Sequence, residues 1–232
     1  MDLIIQGIIQ SFWLLVHGDP AVLRVVLLSL LVSGAATILS LIVGVPFGVV
    51  LGLARFPGRR FLISLVNTGM GSPPVVVGLI VTLFLWRAGP LGVLHLLYTP
   101  SAMVIAQFII SFPIIAGFTM ASVQQLDPKL RLQIISLGAS QLQMVWLLLK
   151  ESRLPLLAAI MAGFGSVISE VGASMMVGGN ITGQTRVMTT AIVGEVSRGQ
   201  FSLAIALSIL LMILVYLVNL ILTIIQQRSK PR

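Results

Sequence analysis

Residues 124–155, QQLDPKLRLQIISLGASQLQMVWLLLKESRLP, form the longest stretch of the chain that does not read as membrane-embedded. They include Lys129, Arg131, Lys150 and Arg153, four of the chain's fourteen basic residues. Asp127-Pro128 has the form of a helix start, with proline in the first turn, where a missing N–H is tolerated. Leu130, Ile134, Leu137, Leu142, Val145 and Leu149 then recur at helical spacing on either side of Gly138. The segment reads as helix, glycine break, helix.

The sequence around this stretch is far more apolar. Hydrophobic residues make up 57% of the chain and charged residues 9%, with a mean hydropathy of +1.10. Such a balance belongs to an all-α polytopic membrane protein. Five apolar runs are long enough to span: Val25–Leu53, Phe61–Trp86, Ala102–Val123, Leu156–Gly178 and Phe201–Ile225. Residues 3–16 are apolar but too short to cross a core of about 30 Å at about 1.5 Å per residue. Asp2, Gln6, Gln10 and His17 fall near one face and Trp13 on the other, the pattern of an interfacial helix. The expected divisions are an interfacial helix at 1–19, a transmembrane unit at 20–228 and a tail at 229–232. The Met-Asp start lacks the basic region of a cleaved signal peptide. There is no cysteine, and His17 and His95 lie far apart without a metal-ligand pattern, so no metal site is expected.

The loops set the orientation. Arg55, Arg59 and Arg60 lie between the first two long runs, four basic residues lie in 124–155, and Arg228, Lys230 and Arg232 lie at the end. The opposite side has Arg24, Arg87, Arg186 and Arg198, accompanied by Asp2, Asp19 and Glu195. The positive-inside rule places the first group and the C-terminus in the cytoplasm and the N-terminus outside. The net charge of +8 is then largely topological, and nucleic acid is not an expected partner. A cytoplasmic helix-break-helix on a membrane protein points to a docking element.

Several residues inside the spans are conspicuous. Gly44, Gly48 and Gly52, four apart, make a flat stripe that suits either packing within one subunit or contact with another. Ser72-Pro73-Pro74, in the run Gly71–Gly78, removes two backbone donors from the second span and leaves the carbonyls near Gly69 and Met70 without partners. In hydrocarbon such groups need protein or water, so the break is expected in the interior beside a pathway. Pro113 is a milder version in the third run. Glu170 is the acidic residue deep in a span, and Ser166, Ser174 and Gly178 share its four-residue spacing. That face is expected to point inward, as a gate or as a buried structural group. The outer loop Gly178-Gly179-Asn180-Ile181-Thr182-Gly183-Gln184-Thr185-Arg186 has the spacing of a phosphate-binding loop, but Gln184 stands where lysine is required and no strand precedes it. Residues 187–200 read as a short helix on that outer surface. No nucleophile with a base, and no carboxylate pair, marks an enzyme.

Three of these features, in order over roughly residues 20–228, resemble the permease subunit of binding-protein-dependent ABC importers. The loop with Leu137-Gly138-Ala139-Ser140 and Leu154-Pro155 is similar to the family's Glu-Ala-Ala loop, whose short helix docks into the ATPase. The Glu-Ala-Ala itself would fall at Leu132-Gln133-Ile134, where those residues are absent, and the loop is longer than the family's by about one helical turn. Ser72 to Gly78 resembles molybdate-type permeases. Glu170, Gly172 and Ala173, followed by Gly178-Gly179-Asn180-Ile181, Gly183, Thr185, Arg186, Thr190, Ala191 and Ile192, are the most specific signal and resemble the tungstate type.

The resemblance implies a type I importer permease in a prokaryotic inner membrane, working as a homodimer with two ATPase subunits and an extracytoplasmic oxyanion-binding protein. ATP and Mg2+ would bind the ATPase, and this chain would hold no cofactor and no catalytic residue. Leu137, Gly138, Ala139, Ser140, Gln141, Leu142 and Gln143 would couple to the ATPase. Ser72, Pro73, Pro74, Ser166, Glu170 and Ser174 would line the pathway or gate. Gly178, Gly179, Asn180, Gly183, Thr185 and Arg186 would form the outer loop, where Arg186 draws the anion inward or docks the binding protein. Tungstate is the substrate implied, with molybdate, sulfate and phosphate as alternatives. An autonomous channel or secondary carrier is the rival class, although five spans do not divide into two inverted halves.

Overall fold

The computed structural model describes residues 5–10, 13 and 19–228. From Pro20 onward the described residues form ten α-helices: α1 (Pro20–Leu53), α2 (Arg59–Met70), α3 (Pro74–Leu85), α4 (Pro100–Gln124), α5 (Pro128–Ser136), α6 (Gln141–Glu151), α7 (Arg153–Ile168), α8 (Gly172–Gly178), α9 (Met188–Ser197) and α10 (Phe201–Arg228). A 3-10 turn at Gly92–Leu94 lies between α3 and α4, and no strand occurs among the described residues.

Starts are set by local chemistry. Asp19 Oδ1 accepts the Ala21 N–H at 2.8 Å, with Pro20 in the first position of α1. Thr99 and Asp127 cap α4 and α5 in the same way, each followed by proline. Proline needs no acceptor in a first turn, and the capping oxygen satisfies one of the remaining orphan donors.

Helix α4 is the axis of the bundle, packed by α1, α2, α3, α7 and α8. Its contact with α1 is close because of the glycine stripe. A Cβ at Gly48 would lie 2.5 Å from the Ala116 carbonyl oxygen, and one at Gly44 would lie 3.3 Å from that of Phe112. The stripe therefore serves packing within the chain. Beside it, Ser40 and Ser111 share a 2.5 Å hydrogen bond between their hydroxyls. The main apolar core joins Val32, Val81, Ala106, Val167 and Val177 from α1, α3, α4, α7 and α8. A second core joins α9 to α10 through Met188, Ala191, Leu207 and Leu210.

Two of the five expected spans are not single helices. Helices α2 and α3 meet at 105°, and α7 and α8 at 57°. Among the described residues, α1, α4 and α10 are each long and apolar enough to cross a membrane, and the number becomes five if each bent pair is one span. The first break is where the prolines require it. The Gly69 carbonyl expected to lack a partner accepts the Ser72 N–H at 3.2 Å, and Ser72 Oγ donates to the Thr68 carbonyl at 3.1 Å. The chain thus closes its own ladder at the break. The second break interrupts a run that reads as continuous.

Residues 5–10 and 13 are helical. Gly7 lies against Ile205 of α10, where a Cβ would come within 2.5 Å of the side chain. Asp2, His17 and the 229–232 tail lie outside the described residues. Residues 188–197 form the expected short helix α9.

Gly48→Ala is expected to lower the stability of the purified chain by about 1–3 kcal/mol, because the new methyl meets backbone that cannot move aside. Gly34→Ala, where a Cβ meets nothing within 4 Å, is expected to be neutral or stabilising by up to about 1 kcal/mol. Chemical unfolding in detergent compares the two.

Candidate functional site

The two breaks lie side by side. A Cβ at Gly78 of α3 would sit 2.6 Å from the Cα of Ala173 in α8, and one at Gly172 would sit 2.6 Å from the side chain of Val75. Both half-helices are pressed together just past their starts, at residues with little or no side chain. Pro73 and Pro74 open α3, and Ser72 is half-buried beside them.

Glu170 opens α8. Its Oε1 accepts the Ala173 N–H at 2.8 Å, and its backbone carbonyl accepts the Thr189 hydroxyl at 2.8 Å. The residue is 8% exposed. The carboxylate thus offsets the positive end of a short helix in a low-dielectric setting. Ser166 does not share a continuous helical face with Glu170, because the chain turns at 169–171. Ser166 lies in α7, half-buried, whereas Ser174 lies in α8 and accepts from Gln107 Nε2 at 3.2 Å.

Gln107 and Thr189 are site residues that sequence reasoning missed. Gln107 is 2% exposed, and its Oε1 has no partner within the described residues. A glutamine inside an apolar run was the available signal. Thr189 carried none, since its partner is a backbone carbonyl 19 residues away.

The outer loop is tied to the end of α8. Thr185, fully buried, donates to the Gly178 carbonyl at 2.5 Å and accepts the Ile181 N–H at 3.0 Å. Gly179 has φ +72° and lies under the ring of Tyr98, where a Cβ would come within 2.8 Å. Only glycine meets both demands without strain. Asn180 follows at φ +51°, and Gly183 at φ +79° ends the turn. The Tyr98 N–H donates to the Val177 carbonyl at 2.8 Å, which joins the loop before α4 to the end of α8. Arg186 is not free: it faces Glu195 at 3.5 Å with its side chain 13% exposed, and Arg198 reaches the same carboxylate at 3.0 Å. Arg24, Arg186, Asp19 and Glu195 line a cavity of about 420 Å³ together with Trp13 and Leu207. No cluster of metal-ligating side chains occurs among the described residues.

The opposite end carries the segment that opened the sequence reading. Gly138, at φ +81°, ends α5 with its N–H on the Ile135 carbonyl at 2.9 Å. This left-handed step reverses the chain. Ser140 then starts α6 through a reciprocal cap: its Oγ accepts the Gln143 N–H at 3.4 Å, and Gln143 Oε1 accepts the Ser140 N–H at 2.8 Å. Ile134, Met144 and Leu148 are buried with Leu53, Leu126 and Leu130, which fixes the element under the end of α1. Leu137 and Leu142, at helical spacing with the buried Ile134 in the sequence, are 86% and 84% exposed. With Ala139, Gln141 and Trp146 nearby in sequence, they leave an apolar rim around a cavity of about 480 Å³ lined by Leu137, Gly138, Ala139, Gln143, Trp146 and Leu147. Large apolar groups are thus left exposed at this end of the bundle. Ser152 joins α6 to α7 almost without interruption, its N–H on the Leu148 carbonyl and its own carbonyl accepting from Leu156.

Residues 44–232 match the family model described as the binding-protein-dependent transport system inner membrane component. The chain belongs to this family. It is 37% identical to the tungstate uptake system permease protein TupB of Peptoclostridium acidaminophilum, over 98% of this chain and all of the relative. It is 35% identical to TupB of Campylobacter jejuni, over 95% of this chain and 92% of the relative. In fold it is similar to the inward-facing MetNI methionine ABC transporter, with a TM-score of 0.76 at 20% identity over 91% of this chain and 97% of that one. The architecture is that of a type I ABC importer permease, an inner-membrane component of a transport system that works with an ATPase and a binding protein.

In this permease Glu170→Ala is expected to cost about 1–2 kcal/mol of stability through loss of the α8 cap. Glu170→Gln retains an acceptor oxygen and is expected to stay near wild type. Equal losses in the two variants, measured by unfolding in detergent, would show that charge rather than capping is what the fold uses.

Proposed function

We propose that this chain is the permease subunit of an ATP-driven tungstate importer. The near full-length likeness to two tungstate uptake permeases carries the substrate assignment. Two copies, each contributing residues 20–228, enclose the pathway. The N-terminus lies outside and the C-terminus in the cytoplasm, as the distribution of arginine and lysine favours. Each copy docks one ATPase subunit through Leu137, Gly138, Ala139, Ser140, Gln141, Leu142 and Gln143. ATP and Mg2+ act on that partner, and this chain carries transport without hydrolysis of its own. Gly178, Gly179, Asn180, Gly183, Thr185 and Arg186 shape the outer mouth, where the binding protein delivers its anion.

The mechanical route supports this reading. Helix α6 continues into α7 through Ser152, and α7 ends at the Glu170 break, where α8 is pressed on α3. Movement of the docked α5–α6 element is therefore passed along α7 to the two breaks. Ser72, Pro73, Pro74, Ser166, Glu170 and Ser174 lie at or beside those breaks and form the moving wall of the pathway. Close packing makes such a chain of contacts respond as a rigid-body switch.

The test is reconstitution with the ATPase and the binding protein. Tungstate-loaded binding protein is expected to raise ATP turnover more than molybdate- or sulfate-loaded protein. A Leu137→Asp, Leu142→Asp variant, altered only at exposed positions, is expected to fold yet lose at least about tenfold of ATPase assembly, the effect of removing apolar anchors from an interface. Stimulation by another oxyanion alone would replace the substrate. ATP-independent flux through the purified chain would replace the importer by a channel or carrier.

A further inference from the structure

The turn between α1 and α2 holds a site that the transport reading does not use. Arg55, Arg59 and Arg60, with Phe56 and Gly58, line a cavity of about 320 Å³. Arg59 is held in place: its Nε donates to the Leu51 carbonyl at 2.7 Å, at the C-terminal end of α1. Its terminal nitrogens remain available. Among the described residues the ion pairs involve Arg186, Arg198 and Glu195, so none of the three arginines has a carboxylate within 4.0 Å. The first turn of α2 adds backbone donors. Gly58 caps it without a side chain, the Leu62 N–H takes the Gly58 carbonyl, and the N–H groups of Arg60 and Phe61 have no acceptor within the chain. Outward from this slot, Phe61 and Leu65 lie one turn apart and are 71% and 58% exposed.

These observations ask for an occupant that is anionic at one end and apolar at the other. A free phosphate would satisfy the guanidinium groups and leave the Phe61–Leu65 stripe bare. A zwitterionic headgroup would bring its own cation toward three arginines. We propose that the α1–α2 turn binds the phosphate of an anionic phospholipid, with the arginines holding the headgroup and an acyl chain lying along Phe61 and Leu65. Guanidinium forks match phosphate oxygens in pairs, and basic residues near the cytoplasmic leaflet favour acidic lipids. The bound lipid would fix the α1–α2 corner, from which α2 runs to the first break.

The absence of cysteine makes the test direct. A fluorophore on Ser64→Cys, an exposed position between Phe61 and Leu65, is placed in the full chain in phosphatidylcholine nanodiscs. Brominated phosphatidylglycerol is expected to quench it at a several-fold lower mole fraction than brominated phosphatidylcholine. In Arg55→Gln, Arg60→Gln, which leaves Arg59 on Leu51, that preference is expected to fall to near unity. Equal quenching by the two lipids in the parent, or an unchanged preference in the double variant, would overturn the site. Competition by millimolar inorganic phosphate would overturn the lipid assignment in favour of a simple anion. Displacement of the lipid by the ATPase would assign the arginines to that partner instead. None of these readouts depends on tungstate transport.

Discussion

A bilayer core offers no water to an unpaired backbone group, so a span that stops halfway must supply its own partners. This chain stops twice, and the contact that makes both stops possible is the one between α3 and α8. Gly78 admits the backbone of Ala173, and Gly172 lies on Val75. Around that contact the loose ends are gathered one by one. Ser72 closes the end of α2, Glu170 takes the Ala173 amide in the first turn of α8, Thr189 takes the carbonyl of Glu170, and Tyr98 and Thr185 take the carbonyls at the far end of α8. Four separate segments thus depend on one short helix. Changing any of them changes the environment of the others.

The rest of the molecule supplies a frame for this cluster. Helix α4 carries most of the packing, and the α1 glycines let the two backbones approach to near contact. Such an interface resists sliding, because every shift brings backbone against backbone. The α7–α8 arm is different. Its α7 begins at an element with exposed leucines, and α7 and α8 meet at a bend. A rigid scaffold beside a jointed arm is the division of labour that a transporter driven by an external motor requires.

Much of this was legible in the sequence, for identifiable reasons. Two adjacent prolines, at 73 and 74, remove two donors from one turn, unlike the single Pro46 and Pro113 that α1 and α4 accommodate, so the first break was visible. Glycine at 138 between two periodic segments marked the turn between α5 and α6. The outer helix at 188–197 lay between turn signals. The second break was not legible, because residues 156–178 contain no interior proline and the polar pair Ser169-Glu170 does not by itself end a helix. It is held by a side-chain cap and by Thr189 and Gln107, whose partners lie far away in sequence. For the same reason Ser166, Glu170 and Ser174 looked like one face and are not. Helical spacing alone did not separate Leu137 and Leu142, which are exposed, from Ile134, which is buried.

The central claim is that the two breaks are the moving wall of an alternating pathway. Cysteines placed at Ser72 and at Ser169, one in each break of an otherwise cysteine-free chain, would test it through labelling by a membrane-impermeant thiol reagent. The complete transporter would be held first without nucleotide and then with ATP trapped on its ATPase. The account predicts that both positions react from the cytoplasmic side in the first state and from the outer side in the second. Labelling that keeps the same side and rate in both states, in a complex that still transports, would contradict it.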